Sequence, residues 1–175
     1  MWLFEDKEIK SHNDLHKNCT DIVYIITYTN GQRYIGKKVV RSTSILPKLK
    51  TKAREGARTI TRHILRDEQG NIITSKADRK KARARGLKAK AEEYEEVITN
   101  KPFLNYKGSS ELTKDLEISA KEIMYQCSNK KTATYLEAML LFSEDVLFSD
   151  LYLNENILGS FYDNSLDGLI GLEKT

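Results

Sequence analysis

Several features that define whole classes of protein are scarce or missing in this sequence of 175 residues. Its two cysteines, Cys19 and Cys127, lie far apart outside any Cys-x-x-Cys pattern, which excludes a disulfide scaffold and favours two reduced thiols. Even the apolar run Ala138–Phe142 is far too short to cross a bilayer, which takes about 20 residues. The start of the chain, Met1 to Lys10, carries acidic residues and lacks the apolar h-region of a signal peptide, so we expect no secretory leader.

Common catalytic signatures are also missing. The chain has no Walker loop, no Gly-x-Gly-x-x-Gly, no Gly-x-Ser-x-Gly and no His-Glu-x-x-His motif. With only three histidines, a histidine-based triad or zinc site is not expected. The groups left for chemistry are tyrosines, carboxylates and basic side chains.

Positive charge is concentrated in one third of the chain. The stretch from Lys37 to Lys90 holds 18 Lys and Arg against 4 Asp and Glu, a local net charge of +14, whereas the remainder carries −10. Nucleic acid is the first candidate partner, because each neutralised phosphate releases condensed counterions. A solvated charged face that binds nothing in particular is the plainer alternative. Few large apolar residues accompany the charges, which argues against a membrane surface.

Strand signals dominate the first third of the chain. The β-branched and aromatic run Ile22–Tyr28 predicts a strand, and Asn30-Gly31 before the run 32–36 predicts a β-hairpin. A second small hairpin is predicted around Asp67–Gly70. Residues 1–20 are predicted to form an irregular arm that packs its aromatic side chains onto the domain.

Helix signals follow. The Ala-, Lys- and Glu-rich stretch 76–98 predicts a largely helical segment, although its acidic end stands where the helix dipole disfavours it. We therefore expect charges outside this segment to meet its glutamates. Ser109-Ser110 predict a helix to about Ala120, Ile123–Cys127 a strand, and Thr132 the cap of a helix to about Leu147.

These elements predict an α+β fold with helices on a small three-stranded sheet and a basic helical insertion. The domain organisation is predicted as one domain over residues 1–175, with the arm at 1–20 and the insertion at about 41–100.

Five short motifs, in order along the chain, resemble those of the GIY-YIG nuclease superfamily. They are Ile22-Val23-Tyr24; Tyr34-Ile35-Gly36-Lys37-Lys38, whose Tyr34 lies ten residues after Tyr24; Asn105-Tyr106-Lys107-Gly108-Ser109-Ser110; Tyr135-Leu136-Glu137-Ala138; and Asp150-Leu151-Tyr152-Leu153-Asn154. The set is similar to a phage-borne branch described as homing-type endonucleases, and it spans roughly Trp2 to Phe161. The resemblance implies a three-stranded antiparallel sheet and hydrolysis of DNA phosphodiesters with one divalent metal ion. A phage origin would place the protein in the cytoplasm of a bacterial host.

The resemblance also assigns roles to individual residues. Glu137 matches the metal-binding glutamate, and its hard oxygen ligand suits Mg²⁺ or Mn²⁺; a glutamate at the solvent edge of a helix is the alternative. Tyr24 matches a general base or water-positioning group, whose pKa near 10 the metal or a neighbouring lysine would have to lower. Tyr34 would orient the water or a phosphate, and Asn154 would support the site by hydrogen bonding.

The length of the hairpin loop provides a structural test of this site. A two-residue turn at Asn30-Gly31 would point Tyr24 and Tyr34 to opposite faces of the sheet. A three-residue loop, Thr29-Asn30-Gly31 with Gly31 left-handed in a G1 bulge, puts both on one face. A shared site therefore requires the three-residue loop.

The chain departs from the family pattern in two places. Ile22 stands where the first motif has a glycine, and the stretch after Gly36 does not form the helix whose arginine holds the scissile phosphate. We expect Lys38 or Arg41 to take that arginine's place, with Arg54 or Arg58 as further candidates if the chain folds back.

The predicted partner is DNA in its double-stranded form. A helix N-terminus beside Tyr106 and Lys107 would suit a phosphate, although a plain turn and cap is the alternative. The other cations expected to contact the DNA backbone are Lys37, Lys38, Arg79, Lys80, Lys81, Arg83, Arg85 and Lys88. We therefore expect a metal-dependent DNA endonuclease. A catalytically inactive nucleic-acid-binding module is the main alternative, and an interaction protein whose basic and acidic parts dock on a partner is the third.

Overall fold

The computed structural model describes residues 1–49 and 52–162. The chain divides into two compact units, the first comprising Met1–Ser42 and the chain from Asn100 onward, the second comprising Thr43–Thr99. The second unit spans nearly the same residues as the predicted insertion. The end of the predicted single domain, from residue 163, lies outside the described residues.

In chain order the elements are β1 (Trp2–Phe4), β2 (Lys7–Ile9), β3 (Asp21–Tyr28), β4 (Arg33–Val39), β5 (Arg41–Pro47), β6 (Arg58–Ile64), α1 (Lys76–Ala84), β7 (Lys90–Asn100), β8 (Ile118–Cys127), α2 (Lys130–Ser143), β9 (Asn156–Ile157) and β10 (Phe161–Tyr162).

The first unit is built on a five-stranded sheet in the order β2-β1-β8-β3-β4. The α+β class is confirmed, but a sheet of only three strands is not: β8, β3 and β4 are the predicted strands, and the N-terminal arm adds two more. The arm is therefore only partly irregular: Trp2–Ile9 form a hairpin, with β1 parallel to β8, and the rest of the arm contains a 3₁₀ turn at His12–Asp14. Trp2 is fully buried and donates its indole N–H to Phe103 O at 3.1 Å, which holds the arm against the chain that leads into β8.

Both faces of β3 are covered, which explains why its residues are nearly all apolar. One face packs Trp2, Tyr24 and Phe103 into a first core. The other face packs against α2, where Leu140 and Leu141 belong to a second core.

The β3–β4 hairpin has the predicted three-residue loop. Gly31 lies at φ +86° and donates its N–H to Tyr28 O, while Tyr28 N–H bonds Gln32 O. The register pairs Tyr24 with Gly36 and Ile26 with Tyr34, so both tyrosines lie on one face of the sheet.

The chain before β8 differs from the prediction of a helix over 109–120. Ser110 caps only a three-residue 3₁₀ turn, Glu111–Thr113, and β8 begins at Ile118. Thr29 of the hairpin loop donates its N–H to Glu117 O, which draws this segment into the sheet instead of a helix. The helix α2 is confirmed, but its cap is Asn129 and not Thr132, and it ends at Ser143.

The second unit contains a three-stranded sheet in the order β5-β7-β6 and the short helix α1. The prediction of a helix through 76–98 is wrong beyond Ala84, because the glutamate-rich end forms β7. Antiparallel pairing sets Arg62 opposite Glu92 and Arg58 opposite Glu96, so opposite charges stabilise the strand pair. Cations outside residues 76–98 pair with these glutamates, as expected, and the ion pairs are Arg66–Glu92, Lys48–Glu93 and Arg54–Glu95.

The second predicted hairpin is reduced to a turn at Asp67–Gly70, which an isolated bridge between Arg66 and Ile72 closes, while β6 pairs with β7. Cys19 and Cys127 are both buried free thiols. None of the helices in the described ranges is long and apolar enough to cross a membrane.

Candidate active site

Two tyrosines on neighbouring strands form the centre of the candidate site. The ring centroids of Tyr24 on β3 and Tyr34 on β4 are 6.4 Å apart. Gly36 lies directly opposite Tyr24 and leaves room for both rings, since a Cβ there would lie 2.5 Å from Tyr24 Oη. In β8 the register skips Met124 between the partners of Val23 and Tyr24, so a bulge lies beside Tyr24.

Tyr24 is enclosed by aromatic side chains. Trp2 meets it edge-on with centroids 5.3 Å apart, and Tyr24 Oη donates to Tyr106 Oη at 3.4 Å. Burial, with smaller contributions from Tyr106, Tyr34 and Glu137, raises the pKa of Tyr24 far above its ordinary value. A general base would need a lowered pKa, and the protein groups around Tyr24 raise it instead.

Tyr34 is half-buried and its hydroxyl contacts Ser109 Oγ at 3.2 Å. Burial raises its pKa, Ser109 opposes that shift by hydrogen bonding, and Tyr106 and Glu137 add to it. Tyr34 is therefore a neutral phenol at the wall of a cleft.

That cleft belongs to the first unit and has a volume of about 670 Å³. Its lining includes Tyr34 and Lys37 from β4, Glu137 from α2, and Asn154. The Glu137 carboxylate forms an ion pair with the Lys37 ammonium, and the two side chains are 14% and 28% exposed. The structure thus brings four of the predicted residues to one polar opening.

Asn154 is held against the outer edge of β4. Its side chain accepts from Ile35 N–H at 3.0 Å and donates to Ile35 O at 2.8 Å. Leu151 and Leu153 continue this contact by hydrogen bonds with the Arg33 backbone. Asn154 therefore fixes the strand segment that carries Tyr34, Gly36 and Lys37.

The two cations expected to replace the family's arginine have different surroundings. Lys38 lies on the tyrosine face with its Nζ 4.1 Å from the centroid of the Tyr106 ring. The Arg41 guanidinium is bound by backbone carbonyls, namely those of His12, His16, Lys17 and Cys19. Arg41 thus ties the chain before β3 to the start of β5. Arg54 and Arg58 lie in the second unit, where Arg54 is paired with Glu95.

Tyr106 and Lys107 are followed by the 3₁₀ turn Glu111–Thr113 and not by the expected α-helix. Tyr106 instead packs on Tyr24 with ring centroids 5.8 Å apart, and Lys107 is exposed. Lys121 was missed by sequence reasoning: it is buried, and its ammonium donates to Leu104 O at 2.8 Å and Tyr106 O at 3.3 Å. Burial lowers the pKa of Lys121. The signal available in the sequence was the position of Lys121 in an alternating strand, on the side that faces inward.

The predicted DNA-contacting cations of the second unit all lie at its surface. The exposed residues on α1 and just after it are Arg79, Lys80, Lys81, Arg83, Arg85 and Lys88. Only Ala82 of α1 is buried, so the helix presents positive charge around most of its circumference.

A divalent ion would find a sparse set of ligands. No group of three or more His, Cys, Asp or Glu side chains that could hold a metal occurs in ranges 1–49 and 52–162. Mg²⁺ keeps several waters and binds through one or two carboxylates together with substrate phosphates, so a single Glu137 in a polar cleft fits such an ion. Glu111 and Glu155 line the same cleft and add negative charge.

The fold and the site together define a small α+β protein with paired strand tyrosines and a helix glutamate at one polar cleft. A family model described as "Putative endonuclease segE, GIY-YIG domain" matches residues 2–157, and the chain belongs to this GIY-YIG endonuclease family. A search of curated proteins found no match, and neither did a search of solved structures.

Proposed function

We propose that the protein is an endonuclease that hydrolyses phosphodiester bonds of double-stranded DNA with the help of a divalent metal ion. The observation that supports this most directly is the shared cleft of Tyr34, Lys37, Glu137 and Asn154 in a chain of the GIY-YIG family. We further propose Mg²⁺ or Mn²⁺ as the ion and the cytoplasm of a bacterial host as the place of action.

Glu137 would hold the metal ion, because its carboxylate is the family-matched oxygen ligand within the cleft. A bound divalent ion would stabilise negative charge on the phosphate and on the leaving oxygen. The cleft is polar and open, which suits a backbone phosphate better than a small apolar ligand.

The tyrosines would act as hydrogen-bond donors and not as bases. Their pKa values are raised, so both phenols stay protonated at neutral pH. Tyr34, at the cleft wall, would donate to the attacking water or to a phosphate oxygen. Tyr24, which is buried behind it, would hold Tyr34 and Tyr106 in place, and Asn154 would keep β4 in register.

Cleavage of supercoiled plasmid tests this proposal. We expect loss of supercoiling with Mg²⁺, none with EDTA, and at least about a 100-fold slower reaction for Glu137→Gln, which keeps the shape but removes the charge. Glu122→Gln is the matched control, because Glu122 is an exposed glutamate on β8 that does not line the cleft. Equal cleavage by Glu137→Gln and the wild type would contradict the site.

A non-catalytic nucleic-acid-binding module is the second candidate. It is favoured by Arg41, whose guanidinium is occupied by backbone carbonyls and is not available to hold a scissile phosphate. Salt-dependent retention of DNA on a gel, without cleavage under any metal condition, would select this alternative.

A further inference from the structure

The candidate metal ligand already has a cation in contact with it. The Lys37 ammonium touches Glu137 Oε2, and both groups are largely buried at the cleft. Among the described residues, Lys37 is the cation that forms an ion pair with Glu137. The side chain of Lys37 therefore stands in the position that a metal ion bound to Oε2 would require.

We propose that Lys37 is a built-in counter-ion that a divalent metal must displace from Glu137, and that the displaced ammonium then binds a DNA phosphate. This inference rests on the proposed function, since it takes Glu137 as the metal ligand. A metal ion bound directly to the carboxylate would sit about 2.1 Å from its oxygen, and an ammonium on the same oxygen would repel it.

The charges that line the cleft explain why Lys37, once displaced from Glu137, would need a DNA phosphate as its new counter-ion. Besides Lys37, the charged side chains that line it are Lys130, Glu111, Glu137 and Glu155, so carboxylates outnumber ammonium groups. A phosphate alone would be repelled by these carboxylates, and a half-buried Lys37 released from its partner would lack a counter-ion. When metal and phosphate bind together, the metal offsets the repulsion between the phosphate and the carboxylates, and the phosphate becomes the counter-ion of Lys37.

The consequence is positive coupling between the two ligands. If the metal frees Lys37 for a phosphate, the phosphate must strengthen metal binding by the same factor, because coupling between two sites is reciprocal. The site would thus hold its metal weakly until DNA arrives. Lys37 lies on the α2 side of β4 and lines the cleft, whereas Lys38 lies on the side of Tyr34, over the ring of Tyr106, and does not line the cleft. This arrangement favours Lys37 as the phosphate-binding cation in place of the family's arginine.

Binding of Mn²⁺, followed by its electron paramagnetic resonance signal, tests the inference without relying on activity. We expect Lys37→Met to bind Mn²⁺ about tenfold more tightly than the wild type in the absence of DNA. A short duplex should raise the Mn²⁺ affinity of the wild type by about tenfold more than it raises that of Lys37→Met. Thermal unfolding of both proteins confirms that the variant is folded.

Lys130→Met is the matched control, because it removes one positive charge from the lining of the same cleft but leaves the Lys37–Glu137 pair intact. Its Mn²⁺ affinity should change by no more than about threefold, since an exposed charge is screened by solvent and salt. An equal gain in Lys130→Met and Lys37→Met would overturn the inference, and so would unchanged or weaker Mn²⁺ binding by Lys37→Met.

Glu137→Gln separates this inference from the proposed function. If Glu137→Gln loses Mn²⁺ while Lys37→Met binds like the wild type, the counter-ion role fails and the metal site stands. If Glu137→Gln binds Mn²⁺ as well as the wild type, or if no protein binds Mn²⁺ with or without the duplex, the inference and the proposed metal site both fail.

Discussion

Gly36 is the residue that allows the two tyrosines of the site to pack together. A Cβ at this position would lie 2.5 Å from Tyr24 Oη, 2.8 Å from Tyr24 Cζ and 3.1 Å from Tyr34 Cε1. Because the Tyr24 ring is buried between Trp2 and Tyr106, it has little room to move away. We expect Gly36→Ala to lower the free energy of unfolding by about 1–3 kcal/mol, measured by urea denaturation.

Two further variants isolate the contact with the phenol. Gly31→Ala also destabilises through its φ of +86°, but a Cβ there meets nothing within 4 Å, so the site should stay intact. Tyr24→Phe combined with Gly36→Ala should recover part of the loss, because the closest of the three contacts disappears. A wild-type urea midpoint for Gly36→Ala would show that the rings can part freely.

Tyr24 and Tyr34 should make the protein sensitive to alkali. Burial raises the pKa of both phenols, so above about pH 10 the folded state retains protons that the unfolded state releases. The free energy of unfolding should therefore be unaffected by these groups below that pH and should fall as the pH rises above it. Thermal unfolding across this range measures the loss, which should be smaller in Tyr24→Phe.

Tyr135→Phe is the control for this measurement, because the side chain of Tyr135 is 70% exposed on α2. The free energy of unfolding of Tyr135→Phe should fall with rising pH as much as that of the wild type. The interpretation fails if Tyr24→Phe and the wild type follow the same curve, or if tyrosinate absorbance shows all nine tyrosines ionising while the protein is still folded.

Part of the site could be predicted from residue spacing alone. The Asn-Gly turn and the alternation of strand side chains are local rules, and they placed Tyr24 and Tyr34 on one face. The contacts of the Arg41 guanidinium could not be predicted, because its carbonyl partners come from a loop more than twenty residues earlier. The raised pKa of Tyr24 depends on Trp2 and Tyr106, which only the tertiary structure brings together.

At the level of elements, β7 shows where local propensity was misleading. Alanine, lysine and glutamate favour a helix in isolation, but in residues 90–100 cross-strand arginines stabilise the glutamates in a strand. The acidic residues at the expected helix C-terminus were the available warning, since a helix dipole disfavours them there. Burial of Tyr94 adds an apolar contribution to the stability of the strand.

The two outer strands of the main sheet were missed for a related reason. β1 and β2 have three residues each, too few for a periodic pattern, and they are stabilised by pairing and by the buried Trp2. β8 was predicted only in part, because bulges at Met124 and Ser119 interrupt the alternation expected of a strand. The longer elements β3 and α2 were predicted, β3 from its run of β-branched and aromatic residues, although the cap and the end of α2 were placed wrongly.

For the whole molecule, the uneven distribution of charge leads to a prediction about DNA binding. The cations on and after α1 are exposed, whereas Arg54, Arg66 and Lys48 form ion pairs with three glutamates of β7. The exposed positive charge is therefore free to neutralise DNA phosphates, and affinity should fall steeply with salt.

Replacing four of these cations by glutamine tests that prediction. The variant Lys80→Gln/Lys81→Gln/Arg83→Gln/Arg85→Gln should bind a duplex more weakly and should lower the slope of log affinity against log salt by up to about 0.9 per lost phosphate contact. Lys80→Arg/Lys81→Arg keeps the charge and should keep the wild-type slope. Fluorescence anisotropy at several salt concentrations measures both. An unchanged slope in the fourfold variant would mean that this surface is only a solvated charged face, and the DNA-binding charge would then have to be sought in the first unit, at residues such as Lys38 and Lys107.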